Sequence, residues 1–219
     1  MYDDLRERLA HVYWIGGGSG GGKSTVARRL ADDHGLRRYA TDDVMAEHSR
    51  RSTRADCPEL HAFMAMDMDE RWLRRSPQLM LETFHWYRGE AFGMIVDDLL
   101  RLPRDRGVVV EGFRLLPHLV RPMLHRPAQA VWLLPTPEFR RYAFADRGSL
   151  WKIAGQTSDP DRALANLLER DAMFTARVER EARELGLLTL TVDGAGTEGE
   201  LADRVAAAFG LTGDGRIRP

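Results

Sequence analysis

The chain has 219 residues, 43% of them hydrophobic, with 32 Lys and Arg against 33 Asp and Glu. Such a length and apolar share suit one domain with an ordinary core, and the balanced charge excludes a general nucleic-acid binder held by an overall basic field. A single cysteine, Cys57, excludes an internal disulfide framework and a cysteine-rich zinc site, and fits a reducing compartment as an ordinary thiol.

Met1 to Ala10 is charged and lacks an apolar signal core, and no run approaches the length of a membrane span, so a cytoplasmic protein with no membrane partner is expected. Leu5 and Leu9, four apart among charges, predict a short leading helix. His11 to Ile15 is β-branched and aromatic and reads as the first strand. The next stretch, Gly17-Gly18-Ser19-Gly20-Gly21-Gly22-Lys23-Ser24, fits the phosphate-binding pattern G-x-x-x-x-G-K-[ST] in full. Thr25 to Ala31 leads out of it with Val26 and Leu30 at helical spacing. Composition alone allows a flexible linker here, but the Lys-Ser-Thr ending, the strand before and the helix after weigh against one.

A loop almost without side chains can turn its N–H groups inward around a polyphosphate without Cβ clashes. The helix that follows points its positive end at the same phosphates. ATP and magnesium are therefore the expected ligands: Lys23 reaches the β and γ phosphates, Ser24 ligates the metal, and Thr25 supports the loop.

Gly35 is a helix stop, Leu36 to Ala40 a short second strand, and Thr41-Asp42-Asp43 its polar end, with one of the two carboxylates expected as a helix N-cap. In an open parallel sheet this end faces the ligand crevice. Met45 to Ala55 has no apolar period and reads as solvent-facing, with Arg50, Arg51 and Arg54 offering a dock for a substrate phosphate. Two helices follow, one from Pro58 with Leu60, Phe63, Met64, Met68 and Trp72, and one from Ser76-Pro77 with Met80, Phe84, Tyr87, Ala91 and Met94. Their Met and aromatic stripes suit a core or an apolar substrate pocket. His61 and His85 have no ligand-like spacing and are assigned no catalytic role.

Val108 to Gly112 is a buried strand tipped by Glu111, placed to order magnesium or its waters beside the glycine loop. Arg114 just beyond it is a substrate candidate or a surface residue. Ala128 to Leu134 is the next strand, and between it and the following helix lies a basic segment with Arg140, Arg141, Arg147 and Lys152, in which Gly148 and Gly155 offer hinge-like flexibility. Such cations can close over a nucleotide and neutralise charge on a transferred phosphoryl group. Asp159-Pro160 opens a long helix carrying Leu164, Leu167, Phe174 and Val178, with Arg162 and Arg170 as further candidates to face the site. Leu187 to Val192 is a fifth strand, the turn Asp193-Gly194-Ala195-Gly196 is placed to border the nucleotide base, and Thr197 with Glu200 forms a capping box for the last helix. Residues 210–219 read as a loose tail. Five strands alternating with helices predict a three-layer α/β/α fold with a parallel sheet, in its P-loop NTPase version.

Gly17 to Ser24, Thr41-Asp42-Asp43, Val110-Glu111-Gly112 and the Arg140 to Arg147 cluster together resemble the P-loop kinases of small molecules, the nucleoside and nucleotide kinase-like superfamily. Glu111-Gly112 is similar to uridine kinase, and Asp42 stands where uridine kinase and chloramphenicol phosphotransferase carry an acidic residue near the acceptor hydroxyl. The resemblance implies a sheet order of 2-3-1-4-5 within a single domain, a helical substrate-recognition region at 44–102 and a lid at 138–158. It implies transfer of the ATP γ-phosphoryl group to a hydroxyl or phosphate of a small molecule such as a nucleoside, nucleotide or antibiotic. Lys23 and the lid arginines Arg140, Arg141 and Arg147 then act catalytically, Asp42 is the base candidate with Asp43 as the alternative, and Ser24 and Glu111 hold the metal; Asp42, Asp43 and Arg114 are the substrate-contact candidates. A monomer or homodimer is expected, with no nucleic-acid partner. The alternative is an ATP-binding regulatory protein with slow ATPase activity and no acceptor; the GTP-selective pattern Asn/Thr-Lys-x-Asp is absent.

Overall fold

The computed structural model describes residues 2–147 and 149–211, leaving aside the side chains of residues 2 and 144–151. Helix α1 (Tyr2–Arg8) leads into β1 (Val12–Gly17), and the glycine loop into α2 (Lys23–His34), which Gly35 ends in the left-handed conformation. After β2 (Arg37–Ala40) come the short helices α3 (Met45–Arg51), α4 (Pro58–Ala65), α5 (Met68–Trp72) and α6 (Pro77–Thr83). A 3-10 turn at His85–Arg88 separates these from α7 (Phe92–Arg101). Then follow β3 (Val108–Glu111), α8 (Pro117–Val120), β4 (Ala130–Pro135), α9 (Pro137–Arg147), α10 (Ser149–Ala154), α11 (Pro160–Glu184), β5 (Leu188–Val192) and α12 (Glu198–Phe209). Thr197 and Glu200 cap α12 reciprocally, as their spacing predicts.

The described strands form one parallel sheet in the order β2-β3-β1-β4-β5, an α/β architecture in the expected order. Every residue of β1, β3 and β4 is buried, whereas the edge strands β2 and β5 are only partly so. That is why the central strands read as unbroken apolar runs and the edges do not. Alternation along each strand sends side chains to two separate cores. Val12, Trp14, Val108, Val110 and Trp132 pack beneath α7 and α11. Tyr13, Ile15, Val109, Val131 and Leu133 pack beneath α2 and α12. Among the described residues no helix is long and apolar enough to cross a membrane.

Two stretches differ from expectation. Residues 45–51 form a helix that is anchored, with His48 fully buried against Asp98 through Nε2 at 2.8 Å. Its buried face is polar, so no apolar period announced it. The two helices expected from Pro58 and Ser76 are broken into shorter pieces. Asp67 caps a new helix start by accepting from Glu70 N, Ser76 caps α6 at the expected start by accepting from Leu79 N, and Phe84 is extended before the 3-10 turn. These breaks bend one apolar stripe around a cavity.

Candidate active site

Register sets the site. Ala40, Glu111 and Ile15 lie in one row across β2, β3 and β1, so the residues just beyond them, Thr41 to Asp43 and the glycine loop, emerge side by side at the strands' carboxyl ends. Gly112 has φ of 149° and its backbone abuts the Thr41 side chain so closely that no Cβ would fit.

The glycine loop is packed, not a tether. A Cβ at Gly17 would collide with the Leu133 carbonyl and one at Gly18 with the Thr175 hydroxyl, while Gly20 and Gly22 sit at φ of 81° and 77°. Gly22 caps α2 without a side-chain hydrogen bond, and no acidic residue stands in the first turn. The orphan N–H groups there have no capping side chain, and Lys23 adds a cation to the positive end of the helix dipole. That arrangement suits an anion. The Lys23 ammonium donates to the Gly18 carbonyl at 2.7 Å, bridging the mouth of the loop.

Ser24 Oγ donates to Glu111 Oε2 at 3.1 Å, and Arg38 Nη2 donates to Glu111 Oε1 at 2.8 Å. The pair joins a hydroxyl and a carboxylate, hard oxygen donors of the kind magnesium takes alongside substrate phosphates. The glycines at the loop and these oxygens fit a magnesium–nucleotide ligand. Asp42 stands beside them. Solvent reaches it along the cavity, yet the protein on its other sides raises its carboxyl above the usual 3.8; Lys23 opposes that rise and Glu111 adds to it. Asp43 points elsewhere, to Arg38 at 4.0 Å, and neither aspartate caps α3, whose cap is Val44.

Ser19 to Ser24, Asp42 and Glu111 form one side of a cavity of about 380 Å³. The other side is aromatic, with Phe63, Trp72, Phe84, Trp86, Tyr87 and Phe113 joined by His85, Ile153, Arg170 and Asp171. Arg170 is clasped by Trp72, Phe84 and Tyr87, its guanidinium 5.1–5.3 Å from each ring, and donates to Asp171 Oδ1 from Nε and Nη2. Tyr87 donates to the same oxygen at 2.9 Å. Burial drives His85 down to about 3, with Arg114 and Arg71 adding to the fall, so its ring is neutral.

A second, smaller cavity of about 100 Å³ lies across the loop, between Gly20 and Gly22 and the turn at Asp193, Gly194 and Gly196. The turn expected to border a nucleotide base thus lies against the glycine loop.

The remaining candidates are spread more widely. Arg140 is buried, bonded to Thr175 of α11, and lines a third cavity with Thr136 and Glu179. Arg141 is exposed on α9 near Glu138, and the side chain of Arg147, with Gly148, falls outside the described residues. Arg114 is behind the cavity wall: it stacks on Trp86 at 4.1 Å, donates to the Thr41 carbonyl, and faces His48 Nδ1 at 3.1 Å. Burial lowers its pKa to about 10, leaving it charged at neutral pH. Arg162, Arg50, Arg51 and Arg54 are exposed. The α10 end of the basic segment is docked, with Ala154 buried in a cluster with Trp72 and Leu167, and Ser158 bonded to Asp69.

Trp86, His85, Phe113 and Asp171 were not legible as site residues. A carboxylate next to an arginine on a long amphipathic helix reads as solvent-facing, and only the partner Tyr87, 84 positions away, reveals its burial. No model of a known protein family matches the chain, and no curated protein matches it.

Proposed function

We propose that the chain is a P-loop phosphotransferase that moves the γ-phosphoryl group of ATP to a hydroxyl of a small molecule. One observation carries the reading: the glycine loop with Lys23, the Ser24–Glu111 pair and Asp42 converge on a single cavity that has room beyond them. Residues 44–102 supply most of that cavity's far wall, and 138–158 adds Ile153 over it.

Loop amides and the start of α2 hold the donor's terminal phosphates, and Lys23 exchanges the Gly18 carbonyl for phosphate oxygens. Ser24 and Glu111 would hold magnesium, which would neutralise charge on the donor's phosphates. Arg38 keeps Glu111 in place from β2. The acceptor oxygen bonds to the γ phosphorus as the bond from that phosphorus to the β–γ bridging oxygen breaks, the electron pair leaves with ADP, and the acceptor proton passes to Asp42. Burial raises the Asp42 carboxyl above the usual range, which makes it a better proton acceptor than an ordinary aspartate.

The test is ADP release from purified protein with ATP and magnesium, alone and with a panel of hydroxyl-bearing molecules. Acceptor-dependent release supports the reading. Equal release with and without every acceptor favours an ATP-binding regulator, for which the cavity beyond Asp42 has no role.

A further inference from the structure

We propose that the acceptor is an uncharged alcohol carrying a flat ring, held between the aromatic side chains of the cavity and read along its polar edge by His85, Arg170 and Asp171. This rests on the phosphotransferase reading and narrows it, because phosphorylated acceptors are then excluded.

Charge decides against a phosphorylated molecule. Among the described residues the cations lining the cavity are Lys23 and Arg170, against the carboxylates of Asp42, Glu111 and Asp171. Lys23 belongs to the donor loop, and Arg170 is bonded to Asp171 at 2.7 Å. Neither is spare for a second phosphate. Nearby arginines are engaged elsewhere: Arg38 holds Glu111, Arg51 pairs with Glu47 and Asp98, and Arg114 stacks behind Trp86. A phosphate on the acceptor would enter a cavity where carboxylates outnumber cations.

The walls decide for a ring. Phe63, Trp72, Phe84, Trp86, Tyr87 and Phe113 offer faces and edges to a flat guest. Within this apolar setting three buried polar atoms have no hydrogen-bond partner: His85 Nδ1, Arg170 Nη1 and Asp171 Oδ2. Their residues are 2%, 5% and 1% exposed, and all three line the cavity. Buried polar groups are ordinarily paired, so three unpaired ones on residues of one cavity wall point to a guest that supplies the missing acceptor and donor. A ring bearing a carbonyl or amine edge supplies both; a bare hydrocarbon ring or a ring-free polyol does not. The cavity, about 380 Å³ including the donor loop's mouth, limits the guest to a small molecule.

The test is calorimetric titration of the full chain, without ATP, using the common ribonucleosides and an aryl-substituted diol as ring probes, against the matching nucleoside monophosphates and glycerol. At least one ring probe is expected to bind about tenfold or more tightly than its monophosphate and than glycerol, and Trp72→Ala to weaken it about tenfold. Phe113→Ala, at a half-buried ring, gives the same readout should Trp72→Ala fail to fold. A monophosphate binding as tightly as its nucleoside, glycerol binding as tightly as the rings, or no ring probe binding at all overturns the inference. ATP is titrated separately: ATP binding without ring binding sinks this inference and spares the phosphotransferase reading, while ring binding without acceptor-dependent ADP release does the reverse.

Discussion

Ser24 at the start of α2 donates a hydrogen bond to Glu111 at the tip of β3 across 3.1 Å, although 87 positions separate them in the chain. Both oxygens are hard donors at the mouth of the glycine loop, where a divalent cation bound to phosphates would sit. Ser24→Ala and Glu111→Gln are each expected to raise the magnesium concentration giving half-maximal turnover by about tenfold or more. A magnesium titration of ATP-dependent turnover checks this, and unchanged half-saturation in both variants would remove the metal role.

Asp42 lines the cavity while Asp43 turns to Arg38. Asp42→Asn is expected to spare ATP binding and to lower phosphoryl transfer by about 10²-fold or more, with Asp43→Asn close to the unmodified protein. Because a base must be ionised, transfer should fall on the acid side with a midpoint above 3.8, the direction in which burial moves Asp42. Asp42→Asn should lose that acid limb. Rates at saturating ATP across pH make the comparison, and damage confined to Asp43→Asn would reassign the base.

Stability has its own pH dependence. His85 titrates near 6.5 when unfolded and is pushed to about 3 by burial in the folded chain, so between those values only the unfolded chain holds the proton. Stability is complete above 6.5 and falls as pH drops toward about 3, by at most about 1.4 kcal/mol per pH unit for this group. His48, also lowered by burial, adds to the loss in the same direction. Urea unfolding at stepped pH should show a shallower decline in His85→Phe; an identical slope would place the proton linkage elsewhere.

Gly112 ties the two acidic strand tips together. An alanine there meets the Thr41 hydroxyl in a backbone conformation that side chains rarely adopt. Gly112→Ala should cost about 2 kcal/mol or more and should depress turnover by moving Asp42 relative to Glu111. Thermal unfolding and turnover measured together check this; a variant as stable and as active as the parent would mean that the close approach has no part in shaping the site.

How much of this was legible depended on where each element's partners lie. Central strands β1, β3 and β4 are buried on both faces, so their apolar runs announce them, and the polar residues ending those runs mark the site. Lys23, Ser24 and Glu111, which the sequence places at those ends, lie together beside one cavity. Helix α3 is not legible, because it is anchored by His48 on Asp98 rather than by an apolar stripe. The break at Asp67 is not legible either, since a capping side chain inside a continuing apolar pattern looks the same as a polar face, whereas Ser76-Pro77 marks the start of α6 correctly. The sequence leaves Arg114 open between substrate and surface, because its place under Trp86 depends on contacts far apart in the chain.

The central claim is that the glycine loop and Lys23 grip a nucleotide's terminal phosphates, and calorimetric titration of ATP with magnesium into the protein and its Lys23→Ala variant tests it most directly. The expected result is saturable binding that weakens about 10²-fold or more in the variant, with unchanged thermal unfolding of the ligand-free chains. Equal affinity in both proteins, or no ATP binding by either, would contradict it.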